Sequence, residues 1–221
     1  MKLNNIKSVF ISGASKGIGF ELAKQYLTNH INVFCVARNT TPITIWAKEQ
    51  NLTSYLQTFN CDLSQIATNR KLISELNKID FDIMINNAGF SVFGMFENTN
   101  IDDELNLIDL NIKSLQFMTK YFYLKYHKTN TEKRIINLAL PSPPSNQDHY
   151  MPILFPLPLC YVFEFSRTWT KNNKKSNLKE FWCYVPVQSK QTFEIEPNIK
   201  VKNYHLVAWM LLNLLNCFKK N

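Results

Sequence analysis

Glycine runs out early in this sequence. All five glycines of the 221 residues, Gly13, Gly17, Gly19, Gly89 and Gly94, precede position 95, whereas eight of the nine prolines lie from Pro141 onward, Pro42 being the exception. A parallel α/β domain needs glycine in its strand-to-helix turns and cannot take many prolines inside central strands. The part after Ala139 therefore reads badly as a continuation of the part before it. Paired cysteines are missing as well. Cys35, Cys61, Cys160, Cys183 and Cys217 are odd in number and scattered, with no CxxC or Cys/His spacing. That excludes a disulfide framework and a metal site of that kind, and it implies a reducing, cytoplasmic compartment. Met1 to Lys7 lacks the parts of a signal peptide, so export is not expected. The apolar run from Leu206 to Phe218 is short for a membrane span and has the length of a buried or interfacial helix, read here as a core helix ahead of a membrane contact. The net charge of +8 is spread along the chain rather than gathered in one basic stripe. It favours anionic small molecules over nucleic acid as partners.

What is present is an alternation. Lys7 to Ser12 reads as a strand, then come a glycine turn and the helical FELAKQYLTN. Asn32 to Ala37 is a second strand, followed by a helical stretch around Ile43 to Gln50 and a third strand over Tyr55 to Cys61. Ser64 is the expected N-cap of a helix reaching about Lys78. Phe81 to Asn86 is the fourth strand, Ile101 to Tyr126 a long helix and Arg134 to Ala139 the fifth strand. Such an order predicts a doubly wound parallel sheet with helices on both faces, because parallel crossovers place them there.

Between the first strand and the first helix, Gly13-Ala14-Ser15-Lys16-Gly17-Ile18-Gly19 has the spacing G-x-x-x-G-x-G. Glycines there allow a tight turn and let the backbone approach a pyrophosphate at a helix N-terminus. Taken singly, it is also compatible with an ordinary glycine-rich turn. After the fourth strand comes Asn86-Asn87-Ala88-Gly89. The two together, in this order, resemble the cofactor loop and the Asn-Asn-Ala-Gly motif of short-chain dehydrogenases/reductases, a likeness that covers Lys7 to Ala139.

The resemblance implies a Rossmann-type domain and an oxidoreductase that transfers hydride between a nicotinamide cofactor and a carbonyl or alcohol substrate. It implies that Gly13, Ser15, Lys16, Gly17, Ile18 and Gly19 cradle the pyrophosphate, that Asp62 and Leu63 meet the adenine, and that Asn86, Ala88 and Gly89 border the inner ribose. Asn111 matches the family's helix asparagine, which helps hold a proton-relay water. Each also has a structural reading: a helix-start residue for Asp62, a polar helix residue for Asn111, a side-chain-stabilised turn for Asn86 to Gly89. The second strand ends Ala37-Arg38-Asn39 without an acid to bond a ribose 2′-OH. Arg38, aided by Lys16, offers a forked cation to a 2′-phosphate, so NADP(H) is expected ahead of NAD(H), unless Arg38 is a solvated surface charge. Family members commonly associate through helices flanking the sheet, which admits a homo-oligomer.

The family's acid/base is a tyrosine whose pKa is lowered by a lysine four residues later, with a serine directly after the fifth strand. Here Leu140 stands at the serine position, with Ser142 the nearest hydroxyl. Tyr150 lies near the tyrosine position but is followed four residues on by Leu154, and Tyr161 by Phe165. Ser142, Tyr150 and Asn111 are the candidate catalytic set, and without the ammonium a tyrosine near its ordinary pKa of about 10 is a poor base. An impaired enzyme is expected, or a non-catalytic dinucleotide-binding remnant or decayed gene product. Residues 140–221 are expected to be irregular or poorly formed, the degenerate or frame-shifted remainder of the domain begun by residues 1–139.

The genetic code gives that expectation some content. Read one base earlier, the codons of Lys179 to Thr192 can spell Gly-Val-Leu-Val-Leu-Cys-Pro-Gly-Pro-Val-Lys-Thr-Asn, which resembles the family's sixth strand and its Pro-Gly-x-x-x-Thr motif. Degeneracy leaves most positions open, but the tryptophan codon before Cys183 forces the second valine, and Cys183-Tyr184 forces the leucine after it. Tyr161 to Ser166 resembles the helix after the catalytic lysine in the present frame, and neither frame spells Tyr-x-x-x-Lys. More than one shift is needed, and a divergent member with an unusual substrate half is the alternative. In the present frame Pro156, Pro158 and Pro186 fall where helix or central strand should lie.

Overall fold

The computed structural model describes residues 6–92 and 96–139 and the strand backbones of 178–184, 193–194 and 200–201. Strand β1 (Ser8–Ser12) leads to helix α1 (Gly17–Thr28), β2 (Asn32–Ala37) to α2 (Thr41–Glu49), and β3 (Leu56–Asn60) to α3 (Ile66–Leu76). Strand β4 (Ile83–Asn86) precedes α4 (Ile101–Ile108), which runs through a π-helical turn, Asp109–Ser114, into α5 (Leu115–Tyr126). Strands β5 (Lys133–Ala139) and β6 (Leu178–Tyr184) complete a parallel sheet of order β3-β2-β1-β4-β5-β6. A separate antiparallel pair joins β7 (Phe193–Glu194) to β8 (Lys200–Val201). This is the doubly wound Rossmann order read from the alternation.

Central strands buried on both faces need unbroken apolar runs, and β1 and β4 are buried throughout. Successive side chains go to opposite faces. Val9, Ile11, Ile83 and Ile85 meet Leu22, Ala23, Tyr26 and Leu27 of α1 and Ile43 and Ala47 of α2 on one side. Phe10 and Met84 meet Leu72 and Leu76 of α3 and Met118, Phe122 and Tyr126 of α5 on the other. Pro42 costs nothing in α2, because it occupies the first turn, where its missing N–H has no partner to lose.

The two ends of the sheet differ. At the N-terminal ends of the strands, Lys133, 3 % exposed, pairs with Asp80 at 2.9 Å and Asp82 at 3.2 Å and lies 5.0 Å from the centre of the Tyr126 ring. Asp82 also accepts from the backbone amides of Lys7 and Ser8. That rim is closed by charge, and the opposite rim carries the glycine turns.

Ser64 does not cap a helix. Helix α3 begins at Ile66 with Gln65 as its N-cap residue, and the Ser64 hydroxyl and amide both donate to Asp62 Oδ1, at 2.8 and 3.0 Å. The carboxylate two residues back is the better acceptor and takes both donors. Beyond Ala139, β6 falls where the one-base-shifted reading places the family's sixth strand, so at this strand the present-frame sequence continues the sheet. The other expectations for residues 140–221, including Ser142, Tyr150, the prolines and the Leu206 to Phe218 helix, lie outside the described residues. Among the described residues no helix is long and apolar enough to cross a membrane, and no group of acids, histidines and cysteines could hold a metal.

Candidate functional site

All five strands through β5 are parallel, so the segments that follow β1, β2, β3 and β4 emerge on one edge of the sheet. Chain order reverses between β1 and β4, and in open α/β sheets the crevice outside such a reversal is where ligands bind. The glycine loop and the Asn86–Gly89 turn flank that crevice.

The two motifs are locked to one another. The Asn87 side-chain amide donates to the carbonyls of Ser12 at 2.9 Å and Gly13 at 3.1 Å. In return, Ser12 Oγ accepts from the backbone amides of Asn87 and Ala88, both at 3.0 Å. Close approach demands glycine. A Cβ on Gly13 would stand 2.8 Å from Ala88 Cα, and one on Gly19 would overlap the Asn87 amide and reach 2.5 Å from the Gly13 carbonyl. Gly13 and Gly17 also hold φ values of 71° and 62°, a region that side chains disfavour.

Helix α1 opens at Gly17 with Lys16 extended before it, no side-chain cap and no acid in its first turn. Its N-terminal amides and positive dipole end therefore meet no capping side chain, and a Cβ on Gly17 would meet nothing within 4 Å. The charge of such a helix start suits a pyrophosphate.

The neighbouring part of the rim is built from β2 and β3, whose register places Ala37 beside Asn60. Arg38 and Asn39 are exposed, and the turn is pinned just after them: buried Thr40 donates its amide and hydroxyl to Asn60 Oδ1, at 3.1 and 2.8 Å. Asp62 and Leu63 follow β3, with the Leu63 side chain buried beside Phe10 and Val36 in the core. Burial pushes the neighbouring Cys61 thiol up, so it stays protonated.

Of the sequence-predicted residues, the structure brings the glycine loop, Ala88 and Gly89 into one crevice and sets Arg38, Asp62 and Leu63 along the same edge. Asn86 turns the other way. Its amide donates to Asn137 at 2.7 Å and Thr119 at 3.1 Å, beneath the turn rather than into the crevice. Asn111 sits in the π-helical turn, and its side chain grips one peptide group on each side: it accepts from Phe90 N at 3.2 Å and donates to Phe90 O at 2.8 Å. A Cβ on Gly89 would come within 3.0 Å of Asn111 Oδ1, so this helix fixes the end of the crevice. Burial raises Tyr26, Tyr121 and Tyr126, Tyr121 to about 12, which takes each further from acting as a base. Sequence reading passed over Ser12, Asn87, Thr40 and Asn60. Asn87 stood inside a motif already quoted, and the others bond across 20 residues or more.

The short chain dehydrogenase family matches residues 7–140, more than half of the chain. The chain belongs to the short-chain dehydrogenases. An uncharacterised oxidoreductase of Schizosaccharomyces pombe is 28% identical over 138 residues, 62% of this chain and 45% of the relative. One from Saccharomyces cerevisiae is 34% identical over 137 residues, 62% of this chain and 44% of the relative. The chain thus spans less than two thirds of the length of these relatives. In fold it is similar to the bulky-bulky ketone specific alcohol dehydrogenase of Comamonas testosteroni, with a TM-score of 0.79 at 18% identity over 96% of this chain and 84% of the other. It is similar also to 4-hydroxyisoleucine dehydrogenase complexed with NADH (TM-score 0.68, 20% identity, 78% and 70% covered). The closed form of serine dehydrogenase complexed with NADP+ gives 0.68 at 19% identity, with 80% and 72% covered.

Proposed function

We propose that this short-chain dehydrogenase binds a nicotinamide dinucleotide, NADP(H) ahead of NAD(H), on the rim formed by residues 7–139, and that its present sequence is impaired in reducing carbonyls or oxidising alcohols. The observation that carries the binding half is the interlocked glycine loop: Gly13 and Gly19 closed onto Asn87 and Ala88 above the uncapped start of α1. In this reading Gly13, Ser15, Lys16, Gly17, Ile18 and Gly19 surround the pyrophosphate. Arg38 takes the 2′-phosphate, with Lys16 adding charge. Asp62 and Leu63 meet the adenine, and Ala88 and Gly89 border the inner ribose with Asn86 holding their turn from below. Bound there, the cofactor supplies or accepts the hydride, and the protein's part is to orient it and to manage a proton.

The catalytic half of the reading rests on residue types. Leu140 replaces a hydroxyl, and neither Tyr150 nor Tyr161 has a lysine four residues on. Asn111 is spent on Phe90, so its side chain shapes the crevice wall. A remainder translated out of the ancestral frame accounts for this together with the loss of glycine after Gly94. The alternative, a dinucleotide-binding protein without turnover, shares the same site. We place the chain in the cytoplasm with a small-molecule carbonyl or alcohol as its partner, and with self-association through the helices flanking the sheet. Titrating NADPH and NADH by nicotinamide fluorescence tests the binding reading. Tighter NADPH binding is expected, with the preference abolished in Arg38→Glu; equal affinities, or a preference that survives the substitution, would remove Arg38 from the site.

A further inference from the structure

The turn that follows β3 is held by its backbone from α3. Thr68 Oγ1 donates to the Asp62 carbonyl, which also accepts from the Gln65 amide at 3.2 Å. The Asn69 side chain donates to the Leu63 carbonyl at 2.8 Å. Across the same peptide group, Ser64 N–H donates to Asp62 Oδ1 at 3.0 Å. Both peptide planes of Asp62-Leu63-Ser64 are therefore fixed. In a trans peptide the C=O and N–H point in opposite directions. With the Asp62 carbonyl turned to Thr68, the Leu63 N–H is turned away from it.

The Asp62 Oδ2, which carries none of these bonds, and the Leu63 N–H, turned away from Thr68, offer an acceptor and a donor on consecutive residues. Adenine presents the matching pair, an amine donor at C6 beside a ring acceptor at N1. Hypoxanthine presents the reverse, a carbonyl at C6 beside a protonated N1. The orientation of the turn is thus what decides between the two bases.

Asn69 is an unexpected residue for its place. It is completely buried on the face of α3 that also buries Leu72 and Leu76, and its Oδ1 has no partner among the described residues. A leucine there would fill the space without an unpaired carboxamide oxygen, so what the asparagine contributes is the hydrogen bond it donates to Leu63. Resting on the dinucleotide-binding reading above, we propose that Asn69, with Thr68, is a positioning residue that sets the adenine-reading turn of Asp62 and Leu63.

The test compares the affinity of the 221-residue chain for NADPH and for its hypoxanthine analogue, deamino-NADPH, in the wild type, Asn69→Leu and Thr68→Val. Wild type is expected to prefer the adenine form. Asn69→Leu leaves the Leu63 carbonyl without its donor, the 63–64 peptide relaxes, and the preference falls by about five- to tenfold. Thr68→Val leaves the Asp62 carbonyl with the Gln65 amide alone, lowers the preference in the same direction and stands in if the leucine variant does not fold. A purely structural role lowers the active fraction or both affinities together and leaves their ratio unchanged. A ratio within about twofold of wild type in either folded variant overturns the proposal. So does a wild type that binds both dinucleotides equally, although the dinucleotide site then still stands. A wild type that binds neither removes the site itself and this inference with it.

Discussion

Residues 7–139 hold every glycine of the chain and one of its nine prolines, whereas residues 140–221 hold the other eight prolines and no glycine. In the first region the glycines have physical work at named places: Gly13 and Gly19 admit Asn87 and Ala88, and Gly89 lies against Asn111. The second contributes β6 to the sheet edge, yet its residue types supply neither the hydroxyl after β5 nor a tyrosine with its lysine. On the function proposed above, binding a dinucleotide and moving a proton belong to separate stretches, so one could persist while the other decays. The match to the family divides at the same place, ending at residue 140.

The largest effect expected from this contrast comes from exchanging the second region. A chimera joining residues 1–139 to the corresponding remainder of an active short-chain dehydrogenase should gain turnover by about 10²–10⁴-fold, the usual contribution of a placed acid/base. A steady-state assay with NADPH and the donor enzyme's own substrate measures it. An inert chimera that still binds NADPH would show that the first region is damaged too.

Next in size is the charge network at the closed rim. Lys133→Met leaves Asp82, 14 % exposed, without its cation and should lower unfolding free energy by about 3 kcal/mol. Urea unfolding reads the loss, and NADPH affinity of the folded fraction should not change, because the network lies at the opposite end of the strands. A parallel loss of affinity would break the separation between the two rims.

Gly19→Ala acts at the site end. Its Cβ meets the Asn87 amide and the Gly13 carbonyl, and overpacking of this kind costs about 1–3 kcal/mol. Here stability and NADPH binding should fall together, since Asn87 is displaced from Ser12 and Gly13; unchanged binding would mean that the interlock does not shape the cradle. The smallest effect is the cofactor preference: Arg38→Glu should abolish an NADPH advantage of about tenfold, equivalent to about 1.4 kcal/mol.

The parts of this molecule that were legible in sequence are those where backbone geometry restricts residue choice. Apolar runs bounded by turns marked the first five strands within a residue or two, and the long helix from Ile101 to Tyr126 was legible in full, although nothing in its pattern announced the π-helical turn around Asn111. Site residues that work through side-chain to backbone bonds were harder to see. Ser64 looked like a cap because serine before a helix commonly is one, and it was outcompeted by Asp62 two residues away. Asn60, Thr68 and Asn69 carry no motif, and each matters only because folding brings a particular carbonyl or amide to it.

The claim that binding survives where catalysis does not can be tested in one cuvette. NADPH is added to a slight excess of the 221-residue chain, nicotinamide fluorescence is followed to saturation, and a panel of aldehydes and ketones is then introduced. The account predicts an enhanced signal on binding that persists at the uncatalysed rate of decay after every addition. A signal that never rises would contradict the binding site, and a rapid loss of fluorescence with any carbonyl would contradict the impairment.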